Sequence, residues 1–270
     1  MAVNHYENFP VASILLPRHL RRPVSVIYAF ARQADDFADE GDLRDAERLH
    51  LLDGFRAELH RISSMAEPET PLFEALSQVI NDYHLPLQPF HDLLDAFSQD
   101  VRKTRYANFG EVMAYCRKSA NPVGRLLLHL YNDASPRNVA YSDAICSSLQ
   151  LINFLQDIAI DFAKGRIYLP KDEMAKFRVD EAQIARSDSN GLWQPFMQFQ
   201  IERTRKLLQA GAPLGKILRG RIGLEMRMII MGGDTILRKL HKTRGDVFQN
   251  RPVLKTADWP YMLYRALLAK

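Results

Sequence analysis

Apolar residues recur along almost the whole chain at intervals of three and four. Leu49, Leu51, Leu52, Phe55 and Leu59 form one stripe, and Leu94, Phe97 and Val101 a second. Leu149, Ile152, Phe154, Leu155 and Ile158 form a third, and Met226, Ile229, Ile230, Ile236, Leu237 and Leu240 a fourth. Such spacing places each set on one face of a helix. Alternation with a period of two, bounded by tight turns, is hard to find. The pattern predicts an all-α protein of roughly ten helices. Breaks fall at Pro17–Pro23, Glu67–Pro71, Leu85–Pro89, Asn132–Pro136, Gly165–Pro170 and Ser187–Gly191. None is long enough for a domain linker, so one helical domain over residues 1–270 is the simplest organisation.

Composition narrows the class. With 47% apolar and 25% charged residues, disorder is excluded as the main state. The 36 basic and 32 acidic side chains leave 36 − 32 = +4, too mild a charge for a nucleic-acid binder. It permits contact with acidic membranes or phosphorylated substrates. The two cysteines, Cys116 and Cys146, form no disulfide framework and no cysteine-based zinc site, and suggest a reducing compartment. The start, Met-Ala-Val-Asn-His-Tyr-Glu-Asn, lacks the basic and apolar regions of a signal peptide. Apolar runs such as Val24 to Ala31 are too short to span a bilayer. A cytoplasmic protein, soluble or peripheral on the inner membrane face, is expected.

The chemistry concentrates in two segments. In Arg32-Gln33-Ala34-Asp35-Asp36-Phe37-Ala38-Asp39-Glu40, Asp35 and Asp39 stand four apart, on one helical face. Like charges so placed destabilise an isolated helix by a few tenths of a kcal/mol, about 0.2–0.5. A hard cation such as Mg²⁺, bridged to phosphate oxygens, would compensate. An acidic solvent face neutralised by Arg32 is the alternative. The second segment runs Gln150-Leu151-Ile152-Asn153-Phe154-Leu155-Gln156-Asp157-Ile158-Ala159-Ile160-Asp161. Here Asp157 and Asp161 repeat the spacing, and Asn153 lies one turn back. A polar stripe in so apolar a helix is costly unless it lines a cavity or binds something. A buried hydrogen-bonded network is the alternative, which unpaired carboxylates fit badly. Two such helices suggest opposing walls that clamp a magnesium–diphosphate group. Lys164, Arg166 and the hydroxyl of Tyr168 follow directly and would sit beside the phosphates. Lys164 and Arg166 also suit a helix C-terminus, where positive charge complements the macrodipole.

These residues resemble the squalene/phytoene synthase family, the head-to-head isoprenoid synthases. Arg32-x-x-Asp35-Asp36-x-x-Asp39-Glu40 resembles its first aspartate motif. Asn153-x-x-Gln156-Asp157-x-x-x-Asp161, followed by Gly165-Arg166-x-Tyr168-Leu169-Pro170, resembles the second. Ser13, Leu15, Leu16, Pro17, Tyr28 and Phe30 are similar to the opening helix. Asp95, Asp100, Arg105, Tyr106, Tyr115 and Cys116 resemble the middle helices, and Asp246-Val247-Phe248 a signature near the C-terminus. The resemblance implies an isoprenoid-synthase helical bundle around a central cavity and a prenyl diphosphate substrate. It implies magnesium held by Asp35, Asp39, Asn153, Asp157 and Asp161, diphosphate bound by Tyr28, Arg32, Asn153, Gln156, Lys164 and Arg166, and catalysis involving the four aspartates and Tyr168. The physics agrees: ionisation needs the leaving group neutralised, and the cation needs a dry, shaped wall.

Two departures narrow the resemblance. Many family members carry Val-Ala-Gly-x-Val-Gly after the Tyr-Cys pair; here Asn121-Pro122 replaces the Gly-centred part, and Pro122 would kink or end the helix. Gly232-Gly233 stands where an aromatic-rich pair is common. With the Asn4-His5-Tyr6-Glu7-Asn8-Phe9-Pro10 opening, these resemble the branch of hydroxysqualene-forming enzymes from hopanoid gene clusters. That branch implies presqualene diphosphate, supplied by a presqualene diphosphate synthase, as substrate. Diphosphate loss, rearrangement of the cyclopropylcarbinyl cation and capture by water would give hydroxysqualene, for a later reductase. A condensing enzyme joining two prenyl diphosphates is an alternative, and an inactive relative serving as an assembly or membrane-surface factor another. Intact aspartates argue against the last. Asn121 is expected to offer a carbonyl acceptor to the capturing water, with Gly232 and Gly233 leaving room for it; a bent helix and close helix packing are the bland roles of these residues. The eight histidines show no metal-ligand spacing. The stretch from Trp259 to Lys270 is aromatic and amphipathic, suited to a membrane surface or to docking on the core.

Overall fold

The computed structural model describes residues 16–268. The Asn4–Pro10 opening, Ser13, Leu15 and Lys270 lie outside them. In chain order the elements are α1 (Arg18–Asp39), α2 (Asp45–Ser63), α3 (Pro71–Tyr83), α4 (Gln88–Arg102), β1 (Arg105–Tyr106), α5 (Phe109–Ser119), α6 (Asn121–Leu130) and α7 (Pro136–Gln156). There follow α8 (Ile158–Ala163), β2 (Ile167–Pro170), α9 (Lys171–Lys176), α10 (Glu181–Ala185), α11 (Trp193–Gly211), α12 (Leu214–Ile217), α13 (Gly220–Lys242) and α14 (Asp258–Leu268). The all-α class is what the chain adopts. The helices exceed the roughly ten expected from periodicity, because α8, α9, α10 and α12 are too short to display a period. The sequence reading also missed the strands. They are a parallel pair, Arg105 opposite Ile167 and Tyr106 opposite Pro170, too brief to show alternation.

Local chemistry sets the helix starts. Thr70, Asn108, Ser135 and Asp180 each accept a backbone N–H of the first turn, and Pro71 and Pro136 open their helices where no N–H is needed. Pro122, at the second position of α6, separates that helix from α5 as expected. Pro23 behaves differently. The break expected across Pro17–Pro23 is confined to Pro17, and Pro23 lies inside α1. A proline there denies the His19 carbonyl its helical donor, and the Tyr83 hydroxyl of α3 donates to that carbonyl at 3.2 Å.

Two large apolar cores result, beside a smaller cluster around Tyr106, Tyr115, Cys116 and Phe154. One joins α1 to α4 around Phe30, whose ring meets Phe55, Phe73 and Phe90 at 5.5, 5.9 and 5.3 Å between centroids. The other gathers α7, α11 and α13 around Trp193, Phe196 and Leu237. Tyr131 and Ile222 touch both. Between them lies a cavity of about 470 Å³. Ile27, Leu93 and Leu127 come to its wall from the first core, and Leu128, Ile145 and Leu149 from the second.

Candidate active site

One end of the cavity is acidic. Helix α1 buries Ile27, Phe30, Ala34 and Ala38, which turns Tyr28, Arg32 and Asp35 onto the cavity wall and leaves Asp39 half-buried one turn on. From the other side α7 brings Asn153 to the same wall. Asp157 and Asp161 do not share one continuous helix, contrary to expectation. Helix α7 ends at Gln156, Asp157 takes a non-helical conformation (φ −106°, ψ 15°), and α8 restarts at Ile158. Backbone bonds still bridge the break: Asp157 N–H donates to the Asn153 carbonyl at 2.9 Å, and Asp161 N–H to the Asp157 carbonyl at 2.8 Å. The i, i+4 relation survives in hydrogen bonding while the axis is interrupted.

The strand pair then returns the chain to the site. Gly165, at φ +78°, makes the turn after α8, a conformation that favours glycine. The Ile167 N–H donates to the Thr104 carbonyl at 2.9 Å. This delivers Arg166 to Asp39 at 2.7 Å, with Lys164 at 3.4 Å from the same carboxylate. Arg32 pairs with Asp36 at 2.7 Å and Asp35 at 3.4 Å. Arg251 pairs with Asp157 at 2.6 Å, and Asn153 donates to that carboxylate at 2.7 Å. Asp161 has no ion pair among the described residues. Burial, then the like charge of Asp39, pushes Asp35 up to about 6. Burial, then Asp157, pushes Asp161 up to about 7. Burial would also raise Asp39, but Arg166 and Lys164 outweigh it and hold that carboxyl below the usual range.

Behind Arg166 lies a support that sequence reading did not resolve. Asp100 is buried; its two oxygens accept from Tyr115 at 2.6 Å and Tyr168 at 3.3 Å, and its backbone carbonyl accepts from Arg166 at 3.4 Å. Burial, then Asp100, pushes both tyrosine hydroxyls up, so they stay protonated and donate. The Tyr168 ring stacks on Phe154 at 3.9 Å. Tyr168 therefore directs its hydroxyl to Asp100, where the sequence led to the expectation of a phosphate partner. Gln156 is corrected likewise: it is buried and donates to the Pro252 carbonyl at 2.7 Å, tying α7 to the C-terminal segment. Arg251 was missed because it lies 94 residues from its partner, and nothing in its local sequence marks it.

The expected water site is also corrected. Asn121 is buried off the cavity wall, and its carbonyl oxygen accepts from Ser147 at 2.8 Å. A Cβ on Gly233 would meet Ile152, Leu149 and Leu208 at 3.1, 3.1 and 3.2 Å, and one on Gly232 would meet Met262 and Leu254 at 3.5 and 3.6 Å. Gly233 permits close packing of α13, the bland role weighed for it, whereas a side chain at Gly232 would meet only ordinary contacts; neither glycine lines the cavity.

Among the described residues no three His, Cys, Asp or Glu side chains stand close enough to hold an ion by themselves. The donor set nonetheless suits a hard cation: Asp35 and Asp161 are carboxylates that burial and like charge leave short of neutralisation. Such an ion would take its remaining oxygens from a phosphorylated ligand.

Paired carboxylates and cations closing one end of an apolar cavity define a protein for ligands with an anionic head and a long apolar tail. Comparison with known proteins agrees. The squalene/phytoene synthase profile matches residues 2–258, and the chain belongs to that family. It is 37% identical to a hydroxysqualene synthase of Rhodopseudomonas palustris, over 97% of this chain and 88% of that one. It is 28% identical to a phytoene synthase of Arthrospira platensis, again over 97% and 88%. The crystal structure of squalene synthase HpnC from Alicyclobacillus acidocaldarius superposes with a TM-score of 0.83 at 34% identity, covering 89% of this chain and 90% of that chain.

Proposed function

We propose that this chain is a hydroxysqualene synthase acting on presqualene diphosphate with magnesium. The observation that carries the reading is the cavity: mainly apolar, with Arg32, Asp35 and Asn153 on its wall and Arg166, Lys164 and Asp39 beside them. The hydroxysqualene synthase relative at 37% identity supports the particular product over that of the phytoene synthase at 28%.

Magnesium bound between the two acidic segments would draw negative charge from the departing diphosphate. The chain's own residues do the rest. Arg32, Lys164 and Arg166 receive the phosphate oxygens as charge develops on them. Asp39 holds Arg166 in place, while Asp100 and Tyr168 fix its segment from behind. The wall of Ile27, Leu93, Phe97, Leu127 and Ile145 orders the hydrocarbon and excludes stray nucleophiles around the rearranging cation. Water then adds to give the alcohol.

The substrate is an amphiphile, and α14 suits the surface that stores it. Trp259, Tyr261, Leu263, Tyr264, Leu267 and Leu268 are exposed on that helix, only Met262 and Ala266 are buried, Arg265 lies on it, and Lys255 and Arg238 stand near it. No described helix is long and apolar enough to cross a membrane. The protein works in the cytoplasm, resting on the inner membrane face through α14. It takes its substrate from a presqualene diphosphate synthase and passes its product to a reductase. The test offers purified protein farnesyl diphosphate and presqualene diphosphate separately, with magnesium, and identifies products by mass spectrometry. Hydroxysqualene from presqualene diphosphate alone supports the proposal. Consumption of farnesyl diphosphate with no turnover of presqualene diphosphate overturns it in favour of a condensing enzyme.

A further inference from the structure

One turn inward from the carboxylates, the cavity wall carries a second polar tier. Ser119, the last residue of α5, lines the cavity, and its Oγ is buried without a hydrogen-bond partner. Several other helical hydroxyls bond to oxygens: Ser98 donates to the Leu94 carbonyl at 2.7 Å, Ser147 to Asn121 at 2.8 Å, Ser148 to the Ile145 carbonyl at 2.7 Å and Thr204 to the Gln200 carbonyl at 2.8 Å, while Ser142, also on the cavity wall, reaches the Cys146 Sγ at 4.0 Å. A helical serine commonly bonds back to the preceding turn, and Ser119 does not. Gln150 on α7 lines the same cavity, and its amide makes no hydrogen bond to another described residue. Helices α5 and α7 pack together. Ser119 stands one turn, about 5.4 Å, from Tyr115, which reaches Asp100 behind Arg166. Gln150 stands one turn from Asn153, which holds Asp157. Both polar groups thus stand one helical turn from residues tied to the acidic end.

We propose that Ser119, with Gln150 as second partner, holds the water that captures the carbocation; the inference rests on the hydroxysqualene reading and names the residues behind its product. A water in an apolar cavity needs two to four polar partners, and a buried hydroxyl left unbonded needs one. The Ser119 Oγ accepts one hydrogen of that water and the Gln150 amide oxygen accepts the other, which leaves a lone pair of the water free to face the cation. The carbon–oxygen bond to diphosphate breaks with its electron pair on the leaving group. After rearrangement, a lone pair of the held water forms the new carbon–oxygen bond. The surplus proton passes from that oxygen to the released diphosphate, the strongest base in the cavity. Presqualene diphosphate and water thus become alcohol and hydrogen diphosphate, with no oxidant or reductant. The site replaces the Asn121 and glycine arrangement expected from sequence, which lies off the wall.

The test compares wild type, Ser119→Ala, Ser119→Thr and Gln150→Leu on presqualene diphosphate with magnesium, reading diphosphate release and organic products separately. Release in Ser119→Ala should stay within about threefold of wild type, while the alcohol falls at least about tenfold and hydrocarbons formed by proton loss replace it. Ser119→Thr, which keeps the hydroxyl, should restore the alcohol. Gln150→Leu should shift the products the same way as Ser119→Ala. Melting temperatures check folding, and deleting an unbonded hydroxyl should not lower that of Ser119→Ala. Alcohol as sole product at the normal rate in both Ser119→Ala and Gln150→Leu overturns the water site and leaves the functional reading standing. A wild type that makes no alcohol from presqualene diphosphate overturns both.

Discussion

Four aspartates that look alike in sequence are held in four different ways. Asp39 is gripped by Arg166 and Lys164, Asp157 by Arg251 and Asn153, Asp35 loosely by Arg32, and Asp161 by no ion pair among the described residues. Asp35→Asn and Asp161→Asn should each lower kcat at least about a hundredfold, judged from losses of single electrostatic stabilisers, without lowering the melting temperature. Steady-state kinetics beside thermal melts check both halves. Arg166→Lys should lower kcat/KM at least about tenfold, because an ammonium cannot serve Asp39, the Asp100 carbonyl and phosphate from one fork. The raised carboxyls also set a pH dependence. Asp35, Asp100 and Asp161 sit at about 6, 7 and 7 when folded, against 3.8 for an ordinary aspartate. The folded chain thus keeps protons that the unfolded chain releases. Through these groups, stability in chelator should be greatest near about pH 4 and decline until about pH 7. Under the proposed magnesium dependence, added magnesium should raise the melting temperature more at about pH 8 than at about pH 5.5, because Asp35 and Asp161 would first have to lose their protons. Equal shifts at both pH values would contradict this account of the site.

At the scale of the element, the periodic stripes were legible, and the interruptions were not. The spacing of Asn153, Asp157 and Asp161 is visible in sequence, yet nothing local announces that α7 stops at Gln156. At that stop Gln156 reaches Pro252 and Arg251 reaches Asp157, contacts more than ninety residues away. Pro23 misled in the opposite sense, since Tyr83 supplies a donor from another helix. Gly233 of α13 shows how an unusual residue can serve packing alone. Gly233→Leu should destabilise the fold by roughly 1–3 kcal/mol through overpacking against Leu149, Ile152 and Leu208. Its product should stay unchanged. Denaturant unfolding with product analysis separates this from the role in water capture expected from sequence.

Across the whole molecule, two cores meet with a cavity between them, and α14 lies across α13 with its other faces in solvent. Leu263→Ser combined with Leu267→Ser alters two side chains exposed by 42% and 47%, so folding should survive. Binding to vesicles of phosphatidylglycerol and phosphatidylcholine, read by flotation, should fall at least about tenfold from the lost apolar contact. Unchanged flotation would remove α14 as the contact. The sequence alone determined the helical class, the two acidic segments and their spacing, and the cations that follow the second, because these rest on local geometry and on the chemistry of adjacent residues. Only the tertiary structure decided that Tyr168 and Gln156 support the site from outside it, that Arg251 and Asp100 join it, and that Ser119 and Gln150 face the cavity where Asn121 does not. Those assignments turn on which face of each helix meets another, and that is settled by the packing of α1, α5, α7 and α13 around one shared space.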